Sequence, residues 1–389
     1  MILNFYYHIP IYKKNDKLYL PSFLGVFIES LACCVSELRL IMHEVEDFQV
    51  EMYDYQLQSG NIKLISLGKI TPAWHRHLFH TKILRENLKL IKNNDFLIVR
   101  SPSPLAPFFY RHMKSGSIVY MVVGDYAEGA QQFSIKSIRD LIMIQYIKWN
   151  DRLFTRSMKY IDVLVNSPSL YDKYKNQSKS IQMIRTTTLS QKDIFDRRDV
   201  LQTDTVNILY TGRFDWAKGL KELMIAFLDL YKRNRNIKLN FAGWEEDLEK
   251  PVENKLLEMA YESDAISNVV FHGKKSIGKE LNSIYQHCDI YVIPSYHEGF
   301  PRTIWEAMGN GLPVIATKVG AIKNYLTHGE NAILIDAKNV NSIIESVQKI
   351  IDDKKYRMKL ISGGYMLANE NTLENQTKLL VDKIKLLHE

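Results

Sequence analysis

The chain is poor in cysteine. Only Cys33, Cys34 and Cys288 occur in 389 residues. Two adjacent thiols and one distant one fit neither a disulfide framework nor a metal-ligand spacing, so buried small side chains are expected. Long apolar runs are missing too. The longest, SIVYMVV and LIMIQYI, fall far short of the roughly 20 residues that span a bilayer, and they fit a buried strand and helix. The opening MILNFYYHIP has no basic region ahead of an apolar run, so it reads as a first strand and a cytoplasmic location is expected. No Gly-x-Gly-x-x-Gly follows that strand, which disfavours a dinucleotide dehydrogenase. Neither a short-period repeat nor a low-complexity segment is present.

What is present is an ordinary globular composition, 46% hydrophobic and 24% charged. The length suits two domains. The net charge of +7 is unevenly placed: residues 1–200 hold 27 basic and 19 acidic side chains, residues 201–389 hold 24 and 25. The excess is densest from Lys63 to Lys114, with 10 basic and 2 acidic residues. Such a segment suits an anionic lipid or a phosphorylated substrate. Nucleic acid is disfavoured because no recognition motif accompanies the charge. Residues 71–94, TPAWHRHLFHTKILRENLKLIKNN, read as a basic helix with Trp74 and Phe79 as anchors. This is either a solvated helix or a peripheral contact with an anionic membrane.

Strand-like and helix-like segments alternate throughout. In the first half ILNFYYHI, NIKLISL, DFLIVR, SIVYMVVGD and DVLVNS read as strands, FLGVFIESLACCVSELRLIM as a helix, and 134–159 as another. A polar stretch around 195–205 reads as a linker. The alternation restarts with VNILYTGR, IKLNFAG, NVVFHG, DIYVIPS, PVIAT and AILID. The expectation is α/β: two doubly wound, Rossmann-like domains over 1–200 and 201–375, with a last helix, 376–389, packing back on the first. Ligands of such sheets sit beyond the carboxyl ends of the strands.

Two strand ends carry chemistry. ILYTGRFDWAKGL offers Gly212, a tight turn, then Arg213 and Lys218 before a helix. Arg213 can fork two bonds to phosphate oxygens and Lys218 adds a second cation, although each pair alone is a weak signal. HEGFPRTIWEAMGNG follows DIYVIPS, placing Glu298 in a Gly299-Phe300-Pro301 turn and Glu306, eight positions on, in the helix that begins near Arg302. The start of that helix is a ready anion site.

The stretch EGFPRTIWEAMGNGLPVIATKVGAIKNYLTHGENAILID resembles the retaining nucleotide-sugar glycosyltransferases of the GT-B fold, glycosyltransferase family 4, and TGRFDWAKG is similar to their upstream Gly-Arg…Lys-Gly element. The resemblance covers most of residues 205–340. It implies a donor cleft between two domains and a nucleotide-diphosphate sugar, UDP- or GDP-linked, with no cofactor and no metal. Arg213 and Lys218 would neutralise the donor diphosphate. The turn at Gly299, Phe300 and Pro301, with the amides of Arg302 and Thr303, would help hold phosphate or sugar hydroxyls. Glu298 would bond the sugar hydroxyls and stabilise charge at the anomeric carbon. Glu306 would bind the ribose, and Gly273 and Lys274 would contact the base. In the first domain Gly25 stands where relatives have a glycine-rich loop. Asp125 stands near the position where many relatives have a sugar-contacting histidine. The implied acceptor is a glycan or a polyprenyl-diphosphate-linked sugar of bacterial surface polysaccharide assembly. A GT-B epimerase, a phosphorylase and a non-catalytic nucleotide-sugar scaffold are the competing readings.

Overall fold

The computed structural model describes residues 1–45, 52–113, 116–125, 137–234 and 236–387, without the side chains of 77–80. Its contacts divide the chain into two units, Met1–Thr186 with Glu374–Glu389, and Thr187–Leu373.

The first unit is built on a parallel sheet. β1 (Ile2–Tyr6) lies between β4 (Glu37–Val45) and β7 (Phe96–Ser101). Outside β4 lies β6 (Ile62–Lys69), and beyond β7 follow β8 (Ser117–Val122), β9 (Asp162–Val165) and β10 (Ser180–Met183). The strand order therefore reverses between β1 and β7. A hairpin of β2 (Ile11–Lys14) and β3 (Lys17–Leu20), continued by β5 (Tyr55–Gln56), extends the sheet past β4. Alternate residues of β1 serve opposite faces. Leu3 and Phe5 pack with the helices Ser22–Cys33 and Leu373–Leu386 through Leu24, Ile28, Leu380 and Ile384. Tyr6 packs on the other face with Leu84, Phe109, Phe154 and Met158.

The apolar stretch 23–42 is not one helix. The helix ends at Cys33, and Glu37–Val45 is a central strand. Leu38, Leu40 and Met42 face one core and Ile41 the other. A strand buried on both faces is a continuous apolar run, which at this length imitates a helix.

The second unit is a single parallel sheet. It comprises β11 (Val206–Arg213), β12 (Ile237–Trp244), β13 (Val269–Gly273), β14 (Ile290–Ile293), β15 (Val314–Thr317) and β16 (Ile333–Ile335), in the order β13-β12-β11-β14-β15-β16. The helices Leu220–Arg233, Pro251–Glu262 and Val340–Asp352 cover one face through Phe227, Leu256 and Val347. Lys279–His287 and Thr303–Gly309 cover the other through Tyr285, Trp305 and Met308. The order reverses between β11 and β14, where the strand ends part and leave room for a ligand.

The stretch around 195–205 belongs to this second unit, and the boundary falls at 186/187. Leu373 donates its N–H to the carbonyl of Leu189 at 2.7 Å. Arg197 donates to the carbonyls of Tyr285, Gln286 and Cys288, and Arg357 grips both oxygens of Asp199. Segments fastened by polar bonds rather than apolar periodicity look like linkers in sequence.

Candidate active site

The two strands that flank the reversal bring the sequence motifs together. β11 ends in Gly212 and Arg213; β14 leads through Pro294 and Ser295 to Glu298. Gly219 lets the following turns meet. Its φ is +70°, and a Cβ there would lie 2.1 Å from the carbonyl oxygen of Pro294. Only glycine tolerates both conditions. Tyr296 then donates its N–H to the carbonyl of Ala217 at 2.8 Å, fixing the short turn Trp216–Lys218 against the β14 loop.

Docking the turns places Lys218 Nζ 2.6 Å from Glu298 Oε1, with side chains only 21% and 12% exposed. Ser295 Oγ donates to the same oxygen at 2.9 Å. Oε2 of Glu298 accepts no hydrogen bond among the described residues. Lys218 has three N–H donors and commits one here. Glu298 is therefore a held carboxylate, not a solvated one.

Glu306 sits on the helix Thr303–Gly309 and is 5% exposed. Thr188 donates to its Oε1 at 2.6 Å and Tyr285 to its Oε2 at 3.1 Å. Both donors are neutral hydroxyls, and each carboxylate oxygen keeps a further lone pair. A hydroxyl chain continues from Tyr285 to Thr211 (2.7 Å), Tyr291 (3.2 Å) and Thr303 (2.7 Å). Burial raises the pKa of both tyrosines well above the ordinary phenol range, so each remains a proton donor.

Both glutamates, Lys218, Arg213, Phe300 and Lys275 line one cavity of about 430 Å³, a volume ordinary for a small-ligand site. Arg213 Nη1 meets Glu246 at 2.7 Å, with side chains 44% and 70% exposed. Such an exposed pair is weak, and an incoming anion displaces it easily.

Pro301, Arg302 and Thr303 also reach the cavity wall. Gly299 does not line it, and its carbonyl accepts the N–H of Ala321 at 2.9 Å. Phe300 is stacked on Trp305 with centroids 4.3 Å apart. After β13 the residues on the wall are Lys275 and Ile277, in place of Gly273 and Lys274; the Lys274 ammonium lies 5.6 Å from the Trp244 ring centroid.

Gly25 and Asp125 belong to the first unit. Gly25 lies inside the helix Ser22–Cys33, and a Cβ there would meet the Tyr55 ring at 2.4 Å. It permits close packing of helix on strand and forms no glycine-rich loop. Both oxygens of Asp125 are taken by Lys173, at 2.8 and 2.7 Å, so it is an ion-pair residue. The basic stretch 71–94 holds the helix Ala73–Leu88, whose Leu84 and Leu88 are buried; the Phe79 side chain lies outside the described residues.

Sequence reasoning missed Thr188, Thr211, Tyr285, Tyr291 and Ser295. Ser295, three residues before Glu298, was the one within reach of a local motif. Thr188 meets Glu306 across 118 residues of chain, and no spacing signals that.

Residues 191–366 match the family model described as glycosyl transferases group 1. An uncharacterized glycosyltransferase of Methanocaldococcus jannaschii is 31% identical over 174 residues, which span 45% of this chain and 43% of that protein. Protein CapJ of Staphylococcus aureus is 26% identical over 315 residues, 78% of this chain and 77% of CapJ. The solved structure of Anabaena HepE in complex with UDP aligns with a TM-score of 0.71 at 14% identity, covering 99% of this chain and 100% of HepE. That likeness is one of fold, the GT-B class of two doubly wound α/β units. The matched residues 191–366, less than half of the chain, contain Arg213, Lys218, Glu298 and Glu306, and over them the chain is similar to the glycosyl transferases group 1 family.

Proposed function

We propose that this chain moves a hexose or N-acetylhexosamine from a UDP- or GDP-linked sugar to a glycan or lipid-linked acceptor of surface polysaccharide synthesis, with retention at the anomeric carbon. The observation that carries the reading is the pairing of Lys218 with Glu298 in the cavity that also holds buried Glu306. HepE, of the same fold, is known in complex with UDP, which favours a uridine donor.

The residues divide the donor between them. The remaining lone pairs of Glu306 take the ribose hydroxyls, with the carboxylate fixed from behind by Thr188 and Tyr285. Arg213 leaves Glu246 for the diphosphate, and the two uncommitted N–H groups of Lys218 join it. These cations stabilise negative charge building on the leaving group and take over the task a metal would otherwise perform. The free Oε2 of Glu298 holds the sugar hydroxyls, and its charge favours the cationic anomeric carbon. The bond from that carbon to the donor phosphate breaks, and a bond to the acceptor oxygen forms on the same face. The acceptor proton passes to the departing phosphate oxygen.

The test is release of nucleoside diphosphate from a panel of UDP- and GDP-sugars in EDTA, with product configuration read by proton NMR. Glu298→Gln and Lys218→Ala are each expected to lower turnover by about 10²-fold or more without unfolding the chain. Near wild-type turnover in either variant, or an inverted product, overturns the mechanism.

A further inference from the structure

We infer that Tyr296 and Glu222 are positioning residues for the Lys218–Glu298 pair, a side-chain brace around the turn that carries Lys218. The inference rests on the transferase reading above, which gives that pair its task.

Tyr296 holds the chain on both sides of Lys218. Its N–H donates to the carbonyl of Ala217, the residue before Lys218, at 2.8 Å. Its hydroxyl donates to the carboxylate of Glu222, with both oxygens at 2.7 Å. Glu222 lies in the first turn of the helix Leu220–Arg233, which follows Gly219. Glu298 stands two residues after Tyr296. One residue thus ties together the start of the Lys218 turn, the helix that ends it and the loop that bears the partner carboxylate.

The hydroxyl bond is of the stronger kind, because a carboxylate accepts it. Glu222 has no other side-chain partner and forms no ion pair among the described residues, so its carboxylate is given over to this contact. Both side chains are part-buried, where a hydrogen bond is less open to competition from water. Burial, and after it the bond to Glu222, push the Tyr296 phenol up to about 12, so the hydroxyl keeps its proton at neutral pH. Lys338 adds a third tie, its ammonium 4.9 Å from the Tyr296 ring centroid.

The ion pair cannot supply this placement by itself. A lysine stem is flexible and follows its partner wherever the loop carries it. The brace fixes the backbone on which both groups stand. A misplacement of about 1 Å at a reacting centre costs about 10²-fold. Losing one tie among several moves the turn by less, and a fall of about three- to tenfold in kcat is expected.

The test joins turnover to a direct reading of Lys218. Turnover is measured on the panel of UDP- and GDP-sugars for wild type, Tyr296→Phe, Glu222→Ala and Glu222→Gln, with the 77% exposed Tyr261 changed to Phe as control. Tyr296→Phe and Glu222→Ala are expected to lower kcat about three- to tenfold. KM changes by less, because the charges that the pair answers build up in the transition state. Glu222→Gln keeps an acceptor oxygen and loses less, and Tyr261→Phe loses nothing. A residue that merely supports the fold would lower Tm and leave kcat per folded chain unchanged. The second reading needs no substrate. The side-chain ammonium signal of Lys218 in nitrogen–proton NMR is assigned by its loss in Lys218→Arg. It is expected to be sharp in wild type, where Glu298 holds Nζ, and to broaden and move toward the other lysines in Tyr296→Phe and Glu222→Ala. Turnover within twofold of wild type in both variants, or a Lys218 signal unchanged in both, overturns the brace. A wild type that turns over no sugar on the panel counts against the transferase reading alone, since the Lys218 signal still decides whether Tyr296 and Glu222 position the pair.

Discussion

Replacing Gly219 by alanine perturbs the contact on which the candidate site is built. The added Cβ would stand 2.1 Å from the Pro294 carbonyl oxygen, whereas real Cβ contacts essentially never fall below 3.0 Å. The obstacle is backbone and cannot rotate away, so the turn must retreat by about 1 Å. The left-handed φ of +70° adds about 1–2 kcal/mol for any residue with a Cβ. Together these predict a stability loss of about 2–3 kcal/mol, or about 4–12 °C in Tm for a unit of this size. The retreat also pulls Lys218 from its 2.6 Å contact with Glu298. A displacement of this size lowers turnover by about 10²-fold. Gly329→Ala is the control. Its φ is also positive, at +75°, but its added Cβ meets nothing closer than 3.4 Å. It is expected to lose about 1–2 kcal/mol and keep its turnover. Scanning calorimetry and nucleoside diphosphate release on both variants provide the assay. A Gly219→Ala chain as stable and active as wild type, or one that merely matches Gly329→Ala, refutes the reasoning.

Three further outcomes are expected. Tyr285→Phe removes a hydroxyl donor from buried Glu306 and should lower unfolding stability by about 1.5–3 kcal/mol and weaken nucleotide binding; unchanged nucleotide affinity by calorimetry would show that Tyr285 does not position the carboxylate. Asp199→Asn breaks the pair with Arg357 and should cost about 2 kcal/mol at neutral pH. The Arg357 hydrogen bond holds the Asp199 pKa below its ordinary value, so this stabilisation is present above about pH 4 and lost as pH falls through the lowered pKa; urea titrations whose gap between wild type and variant stays constant down to pH 2 would contradict it. Leu380→Ala, in the core of the first unit, should cost about 2–4 kcal/mol by chemical denaturation, and a loss under 1 kcal/mol would remove the last helix from that core.

The second unit was the more legible half. Its strands are short apolar runs, each ending near glycine or a polar turn, and all six were readable from that pattern. The chemistry at Arg213, Lys218, Glu298 and Glu306 was local, because one strand end and the turn after it supply each pair. The hydroxyls behind Glu306 were not readable, since Thr188, Tyr285 and Glu306 come from distant segments and a buried tyrosine resembles any core aromatic. In the first unit β4 passed as helix because both its faces are buried, and the hairpin of β2 and β3 was too short to register. Asp125 and Gly25 drew attention by position alone. A side chain's partners decide its role, and Lys173 and Tyr55 are not adjacent to them in sequence.

The most direct measurement is isothermal titration of UDP and GDP into the full chain in EDTA, comparing wild type with Glu306→Gln. The account predicts saturable binding of at least one nucleotide by wild type without metal. It also predicts affinity about tenfold lower or worse in the variant, because the ribose loses a charged acceptor. Absence of binding by either nucleotide, or equal affinity in Glu306→Gln, would contradict the claim that this cavity is the donor site.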